Sequence, residues 1–203
     1  MACFGGTFDP FHNGHLSVIK SVTTISDVSE VIIIPNNVPP HKAQARASAQ
    51  ERLEMLELAV SRLNRENPEI TYSISSLELN RPGPSYTIDT VKSFAQTYPD
   101  AELLYIIGSD SYFQFHTWKS YMEIPAYVTL IIVGREAFSE KEAELYYKQY
   151  LCKFPFSRFR FLYTVSSNIS STVIRKLINK HQDISSMVPK DIWEYIQKKG
   201  LYK

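Results

Sequence analysis

Cysteine is nearly absent. Cys3 and Cys152 are the two in 203 residues, too few and too far apart for a disulfide scaffold, which fits a reducing compartment. An excess of one sign of charge is also missing. Twenty-two Lys and Arg stand against 21 Asp and Glu, a formal net charge of +1. No global field therefore draws the chain to nucleic acid or to a membrane surface, and any positive charge that matters must be local. No apolar run approaches membrane-spanning length. No signal peptide is expected, because a glycine motif begins within a few residues of Met1. Linkers, repeats and low-complexity stretches are lacking too. What remains is a chain of 44% hydrophobic residues, long enough to bury a sizeable core. One domain spanning 1–203 is expected, in the cytoplasm.

The densest information lies in Gly5-Gly6-Thr7-Phe8-Asp9-Pro10-Phe11-His12-Asn13-Gly14-His15. It follows a short apolar segment and runs into Leu16, Ser17, Val18 and Ile19, which read as the first turns of a helix. Backbone N–H groups and the positive end of a helix dipole at such a turn attract anions. Gly5 and Gly6 let the backbone approach a bulky anion, and Gly14 lets two imidazoles converge. Gly-Gly followed by Asp-Pro also reads as an ordinary turn. Zinc is disfavoured: His41, His116 and His181 are scattered, and no Cys-x-x-Cys supplies further ligands. The glycine spacing is not that of a dinucleotide fingerprint, and no Gly-Lys-Ser/Thr marks a P-loop.

Further along, strand and helix patterns alternate. Strands are expected at Ala2 to Phe4, Val31 to Ile34, Ile70 to Ile74, Leu103 to Ile107, Val128 to Val133 and Phe159 to Tyr163. Helices are expected from His15 to about Ile25, through Leu53 to Leu63, around Ile88 to Ala95, over Glu140 to Leu151, over Ser171 to Asn179, and over Asp191 to Lys199 with Gly200 as a stop. The β-branched run Val31-Ile32-Ile33-Ile34 suits a strand covered on both faces. The fold class is α/β, a doubly wound parallel sheet of Rossmann-like form. Ligands bind such sheets beyond the carboxyl ends of the strands. The unusual residues follow strand ends: Gly5 to His15, Asn36 to Lys42, Gly108 to Asp110, Gly134-Arg135 and Ser167 to Ser171.

Each later segment also has an ordinary reading. Asn36-Asn37-Val38-Pro39-Pro40-His41-Lys42 is either a solvated loop or a proline-stiffened arm holding Lys42 toward phosphate. In Pro84-Ser85-Tyr86-Thr87, Ser85 or Thr87 reads best as a helix N-cap. Asp110 can cap a helix or accept ribose hydroxyls. Trp118 can fill a core or stack on a pyridine ring. In Asn168-Ile169-Ser170-Ser171-Thr172-Val173-Ile174-Arg175, serines are most often caps and Arg175 a surface charge.

Taken together, these motifs resemble the nucleotidyltransferase superfamily of adenylyl- and cytidylyltransferases. The first is its Gly-Gly-Thr-Phe-Asp-Pro and His-x-Gly-His signature, and Ile-Ser-Ser-Thr-x-Ile-Arg is its late motif. Pro-Pro-His-Lys, Pro-Ser-Tyr-Thr and Gly-x-Asp followed by Phe, Trp and Lys are similar to the bacterial nicotinate-mononucleotide adenylyltransferases. The resemblance runs from Gly5 to the segment ending at Tyr202, without departure at a motif position.

It implies adenylyl transfer from ATP to nicotinate mononucleotide, giving nicotinate adenine dinucleotide and pyrophosphate, with Mg²⁺ carried on the triphosphate. Catalysis is then expected of His12 and His15. ATP binding is expected of Gly5, Gly6, Thr7, Phe8, Lys42, Gly108, Arg135, Ile169, Ser170, Ser171 and Arg175. Mononucleotide binding is expected of Asn37, Thr87, Asp110 and Trp118. No metal-ligating side chain and no role for Asp9 are assigned. Transfer to nicotinamide mononucleotide or phosphopantetheine, and a nucleotide-binding regulator without catalysis, stand as alternatives. The sequence leaves oligomeric state open.

Overall fold

A computed structural model describes residues 1–25, 27–39, 45–134, 139–163 and 169–203. Their order is β1 (Ala2–Gly6), α1 (Asn13–Ile25), β2 (Glu30–Pro35), α2 (Ala49–Glu66), β3 (Thr71–Ile74), α3 (Thr87–Thr97), β4 (Leu104–Gly108), α4 (Ser109–Tyr112), α5 (Ile124–Tyr127), β5 (Thr129–Gly134), α6 (Glu140–Tyr146), β6 (Phe159–Tyr163), α7 (Ser171–Asn179) and α8 (Lys190–Lys199). The strands form one six-stranded sheet in the order β3-β2-β1-β4-β5-β6, and every pairing is parallel. Strand order reverses between β1 and β4, where Ala2 pairs with Leu104 and Phe4 with Ile106.

Alternating side chains divide the core into two layers, as the period of a strand requires. Ala2, Phe4, Val31, Ile33, Leu104, Ile106, Ile131 and Val133 face one way, together with residues of α1, α2, α7 and α8. Cys3, Ile32, Ile34, Tyr105, Ile107, Leu130 and Ile132 face the other way, together with residues of α3, α5 and α6. All of Val31 to Pro35 is buried, as expected for a strand covered on both sides. Burying each of those isoleucines contributes roughly 1.5–3 kcal/mol.

Local chemistry fixes the ends. Ser48 and Glu51 form a capping box at the start of α2. Gly200 closes α8 at φ 66°, a left-handed conformation that glycine adopts without penalty. β3 is an edge strand, and Asn64 of α2 covers it. The Asn64 amide accepts from Tyr72 N at 2.8 Å and donates to Tyr72 O at 2.9 Å, satisfying backbone groups that no further strand would meet.

One expected helix is corrected. The segment Glu140 to Leu151 is α-helical only to Tyr146, and Tyr147–Leu151 widens to π winding. The extra width serves two aromatic clusters at once. Tyr146 packs on Tyr112 and His116, while Tyr147 meets Phe156 and Phe159 and donates its hydroxyl to Phe154 O.

Candidate active site

Beyond the carboxyl ends of β1 and β4 lies an open cavity of about 440 Å³. Gly5 to Asp9, His12, Gly14 and His15 line it from the β1–α1 side. Gly108, Asp110 and Ser111 line it from β4, and Ile169, Ser171, Thr172 and Arg175 from the start of α7. Two helix N-termini thus border one space. Part of the expected amide donation is already used inside the protein. Asn13 N–H donates to Met187 O at 2.9 Å, and His15 N–H to His12 O at 2.9 Å. At α7, Ser170 caps the helix by accepting from Val173 N at 3.2 Å, and the Ser171 hydroxyl donates to Pro10 O at 3.0 Å. That second bond ties the late motif to the signature loop.

The loop itself is held by packing. Asp9-Pro10 is cis, and Phe8 takes φ 51°, a conformation rare outside glycine. Phe8 is held there by edge contacts with Phe4 at 5.4 Å and His15 at 5.0 Å. The rings of His12 and His15 stack with centroids 3.7 Å apart. A side chain at Gly14 would strike the His12 ring, so this glycine is what admits the stack. His12 N–H donates to His15 Nδ1 at 3.2 Å, which puts the proton of a neutral His15 ring on Nε2 and makes that atom the donor. Gly5 and Gly6 also answer to a packing need. The space a Cβ would fill is taken by the Tyr105 hydroxyl at Gly5 and by the Phe8 ring at Gly6.

A second cavity of about 360 Å³ adjoins the first and shares Gly5, Gly6, Thr7, Asp110 and Ser111 with it. Asn36, Pro39, Glu78, Ser85, Tyr86, Thr87, Tyr105 and Trp118 complete much of its wall. The loop after β2 is strapped to the signature: Asn36 N–H donates to Gly6 O at 3.0 Å, and Asn36 Nδ2 to Thr7 Oγ1 at 3.1 Å. The buried Asn36 Oδ1 has no donor among the described residues. Under this cavity lies a polar floor. Thr90 donates its hydroxyl to Glu78 at 2.6 Å, and Arg81 approaches Thr90 at 3.3 Å. Burial pushes the Glu78 carboxyl above its ordinary range, against the pull of the Thr90 hydrogen bond. Burial likewise raises the Tyr105 hydroxyl, with the Glu78 charge adding to it.

Most expected residues converge. His12, His15, Gly5, Gly6, Thr7, Phe8, Gly108, Ile169, Ser171 and Arg175 line the first cavity, and Thr87, Asp110 and Trp118 the second. Lys42 and Arg135 lie outside the described residues. Two residues stand behind the wall. Ser170 is occupied as a cap, and Asn37 braces the loop through Nδ2 to Arg81 O at 3.2 Å, leaving Asn36 to face the cavity. Neither Ser85 nor Thr87 caps α3. Tyr86 takes the cap position without a side-chain bond, and Ser85 Oγ instead accepts from Asn37 N at 3.1 Å. The reason is the bridge from Val38 to Pro84, which brings the two loops together. Asp110 is not a cap either: Gly108 occupies that position, and the carboxylate is exposed. Sequence reasoning missed Glu78, Tyr105 and the supporting part played by Asp9. The Asn36-Asn37 doublet was a signal for the first asparagine as much as for the second.

Comparison with known proteins agrees with this geometry. The sequence model of the Cytidylyltransferase-like family matches residues 3–177, from β1 to α7 and through every strand. The nicotinate-nucleotide adenylyltransferases of Salmonella typhimurium and Salmonella typhi are each 35% identical, covering 100% of this chain and 98% of their own. A solved structure of nicotinic acid mononucleotide adenylyltransferase from Plasmodium falciparum superposes with a TM-score of 0.78 at 20% identity. It covers 99% of this chain and 96% of its own, and it supports the fold. This chain thus belongs to the cytidylyltransferase-like family, among its nicotinate-nucleotide adenylyltransferases.

Proposed function

We propose that the protein transfers the adenylyl group of ATP to nicotinate mononucleotide, forming nicotinate adenine dinucleotide and pyrophosphate in NAD biosynthesis. The observation that carries this is the common floor of the two cavities, Gly5 to Thr7 with Asp110 and Ser111, where two phosphates can meet. An oxygen of the mononucleotide phosphate forms a bond to the α-phosphorus of ATP. The bond from that phosphorus to the bridging oxygen breaks, and pyrophosphate leaves with the electron pair. No side-chain nucleophile is needed, so rate enhancement rests on positioning and on charge stabilisation.

On this reading the larger cavity takes the triphosphate. His15 donates from Nε2, His12 stacks beside it and Arg175 supplies fixed positive charge, with Lys42 and Arg135 as further cations from the adjoining loops. Ile169, Ser170, Ser171 and Gly108 border the phosphates and the adenosine. The second cavity takes the mononucleotide, with Asp110 for ribose hydroxyls, Trp118 for the pyridine ring and Thr87 at the nicotinate end, while Asn37 supports the wall around that end through Arg81 O. Mg²⁺ fits as a passenger on ATP. Among the described residues no three His, Cys, Asp or Glu side chains cluster to hold a metal ion, and Asp9 is engaged with protein donors. The reaction is proposed for the cytoplasm, and no helix among the described residues is long and apolar enough to cross a membrane.

The test is pyrophosphate release by purified protein with ATP and Mg²⁺ against a panel of acceptors. Release with nicotinate mononucleotide above its amide and phosphopantetheine is expected. A better rate with either of those would reassign the acceptor, and no release with any of them would leave a nucleotide-binding regulator.

A further inference from the structure

The signature contains one buried charge to which the reaction gives no part. Asp9 is 3% exposed. Its Oδ2 accepts from Arg46 N at 2.8 Å, and its Oδ1 accepts from Ala47 N at 3.1 Å and from the Tyr202 hydroxyl at 2.8 Å. Arg175 Nη1 donates to the Asp9 carbonyl at 2.6 Å and lies 3.5 Å from Oδ2. Beneath them Arg52, 2% exposed, donates from Nη1 to Thr7 O at 2.8 Å. One carboxylate thus gathers the exit of the β2–α2 loop, the arginine of α7 and the end of the chain onto the loop that carries both histidines. Two guanidinium groups surround this single buried carboxylate, so the cluster keeps an excess of positive charge on the side of the larger cavity, which Arg175 lines.

We propose that Asp9 and Tyr202 together form a positioning pair for Arg175, so that the C-terminal end of the chain sets how well the triphosphate is held. An ionised carboxylate offers about four acceptor positions. Here two backbone amides and the Tyr202 hydroxyl engage it, and Arg175 is held mainly by the adjacent carbonyl rather than by a close two-point pair with the carboxylate. Removing the Tyr202 hydroxyl leaves Oδ1 short of a donor. Arg175, whose Nη1 already lies 3.5 Å from Oδ2, would then close on the carboxylate and withdraw from the cavity. Tyr202 lies in sequence far from every motif, and its ring is buried against the α2 and α8 side of the core. Burial and the neighbouring Asp9 both push its hydroxyl pKa upward, so it stays a donor throughout the working range.

This inference rests on the ATP half of the proposed function alone. Its test is a titration of full-length protein with ATP and Mg²⁺, with no acceptor present, by calorimetry. Tyr202→Phe should weaken ATP binding by about threefold to tenfold, the size of one ordinary hydrogen bond, while the KM for nicotinate mononucleotide stays unchanged. Tyr195→Phe is the matched control. Tyr195 of α8 donates to Glu54 of α2 at 2.6 Å, so it tethers the same end of the chain without touching the signature loop, and its loss should leave ATP binding unaltered. In an Arg175→Ala background, Tyr202→Phe should add nothing further, because the pair acts through that arginine. Three results would overturn the proposal: unchanged ATP binding in a cooperatively folded Tyr202→Phe protein, equal weakening by Tyr195→Phe, or additive losses with Arg175→Ala. A wild-type protein that binds no ATP would overturn the adenylyl-transfer reading and this one with it. ATP binding without transfer to nicotinate mononucleotide would overturn only the choice of acceptor.

Discussion

The two cavities are built in different ways. The larger one is made largely from two continuous runs, Gly5 to His15 and Ile169 to Arg175, each passing into a helix N-terminus. The smaller one is collected from short pieces of five segments: Gly5 to Thr7, the loop after β2, residues 78–87, β4 and the stretch from Asp110 to Lys119. Backbone amides, imidazoles and a guanidinium dominate the first, and a buried carboxyl with hydroxyls and an indole the second. A site for a triphosphate can be written in backbone and repeated charge. A site that must tell one small ring from another needs side chains from several directions.

Breaking the first half should cost most. His15→Ala removes one donor to developing charge and should lower kcat by roughly a hundredfold or more, with little change in the KM for the mononucleotide. Near-normal turnover would sink the catalytic role. The selectivity of the second half comes next. Nicotinate mononucleotide should be preferred over its amide by about tenfold to a hundredfold in kcat/KM, because a pocket that satisfies carboxylate oxygens with donors leaves an amide NH₂ unmatched. Equal or reversed values in side-by-side kinetics would refute that pocket chemistry and leave adenylyl transfer standing.

Trp118→Ala sharpens the contrast between the halves. Trp118 packs on Phe115 at 5.3 Å while lining the second cavity. Its loss should raise the KM for the mononucleotide several-fold, about the size of one aromatic contact, and raise the KM for ATP less. Equal increases for both substrates would assign the indole to general packing. The smallest expected effect belongs to Glu78. Burial raises its carboxyl pKa in the folded chain, so the folded protein keeps a proton that the unfolded chain releases as pH rises through the ordinary carboxylate range. Stability is therefore lost with rising pH across that window, and Glu78→Gln removes the loss. The melting temperature of Glu78→Gln relative to wild type should climb between about pH 4 and about pH 7, and a difference independent of pH would contradict the buried charge.

The same contrast governs what the sequence disclosed. Strand periodicity and β-branched runs located all six strands within a residue or two, most plainly the central ones, which are buried on both faces. The larger cavity was legible because its residues are contiguous, so spacing along the chain is also spacing in space. Asp9 was unreadable as more than a turn residue, since its partner Tyr202 is 193 residues away and nothing local announces the pair. Glu78 sits between Leu77 and Leu79 in a loop dense with polar residues, where a lone carboxylate looks solvated; only the fold shows Thr90 and Tyr105 closing over it. That Asn36 lines the cavity while Asn37 braces the loop was hidden for a similar reason. Adjacent residues in an extended loop point opposite ways, and which one faces the cavity is decided by the strap to Gly6 and Thr7.

The common floor has a kinetic consequence. A molecule long enough to reach from Trp118 across Gly5-Gly6-Thr7 to Ile169 meets the second half as an intramolecular encounter once the first is engaged. Such linkage can raise affinity about 10²–10⁴-fold over either part without any new contact. The dinucleotide product is itself that molecule. Departure of the finished dinucleotide, rather than arrival of either substrate, is then the step at which the protein gains by letting go, and movement of the strap between Asn36 and Thr7 would split the linked ligand's two footholds apart.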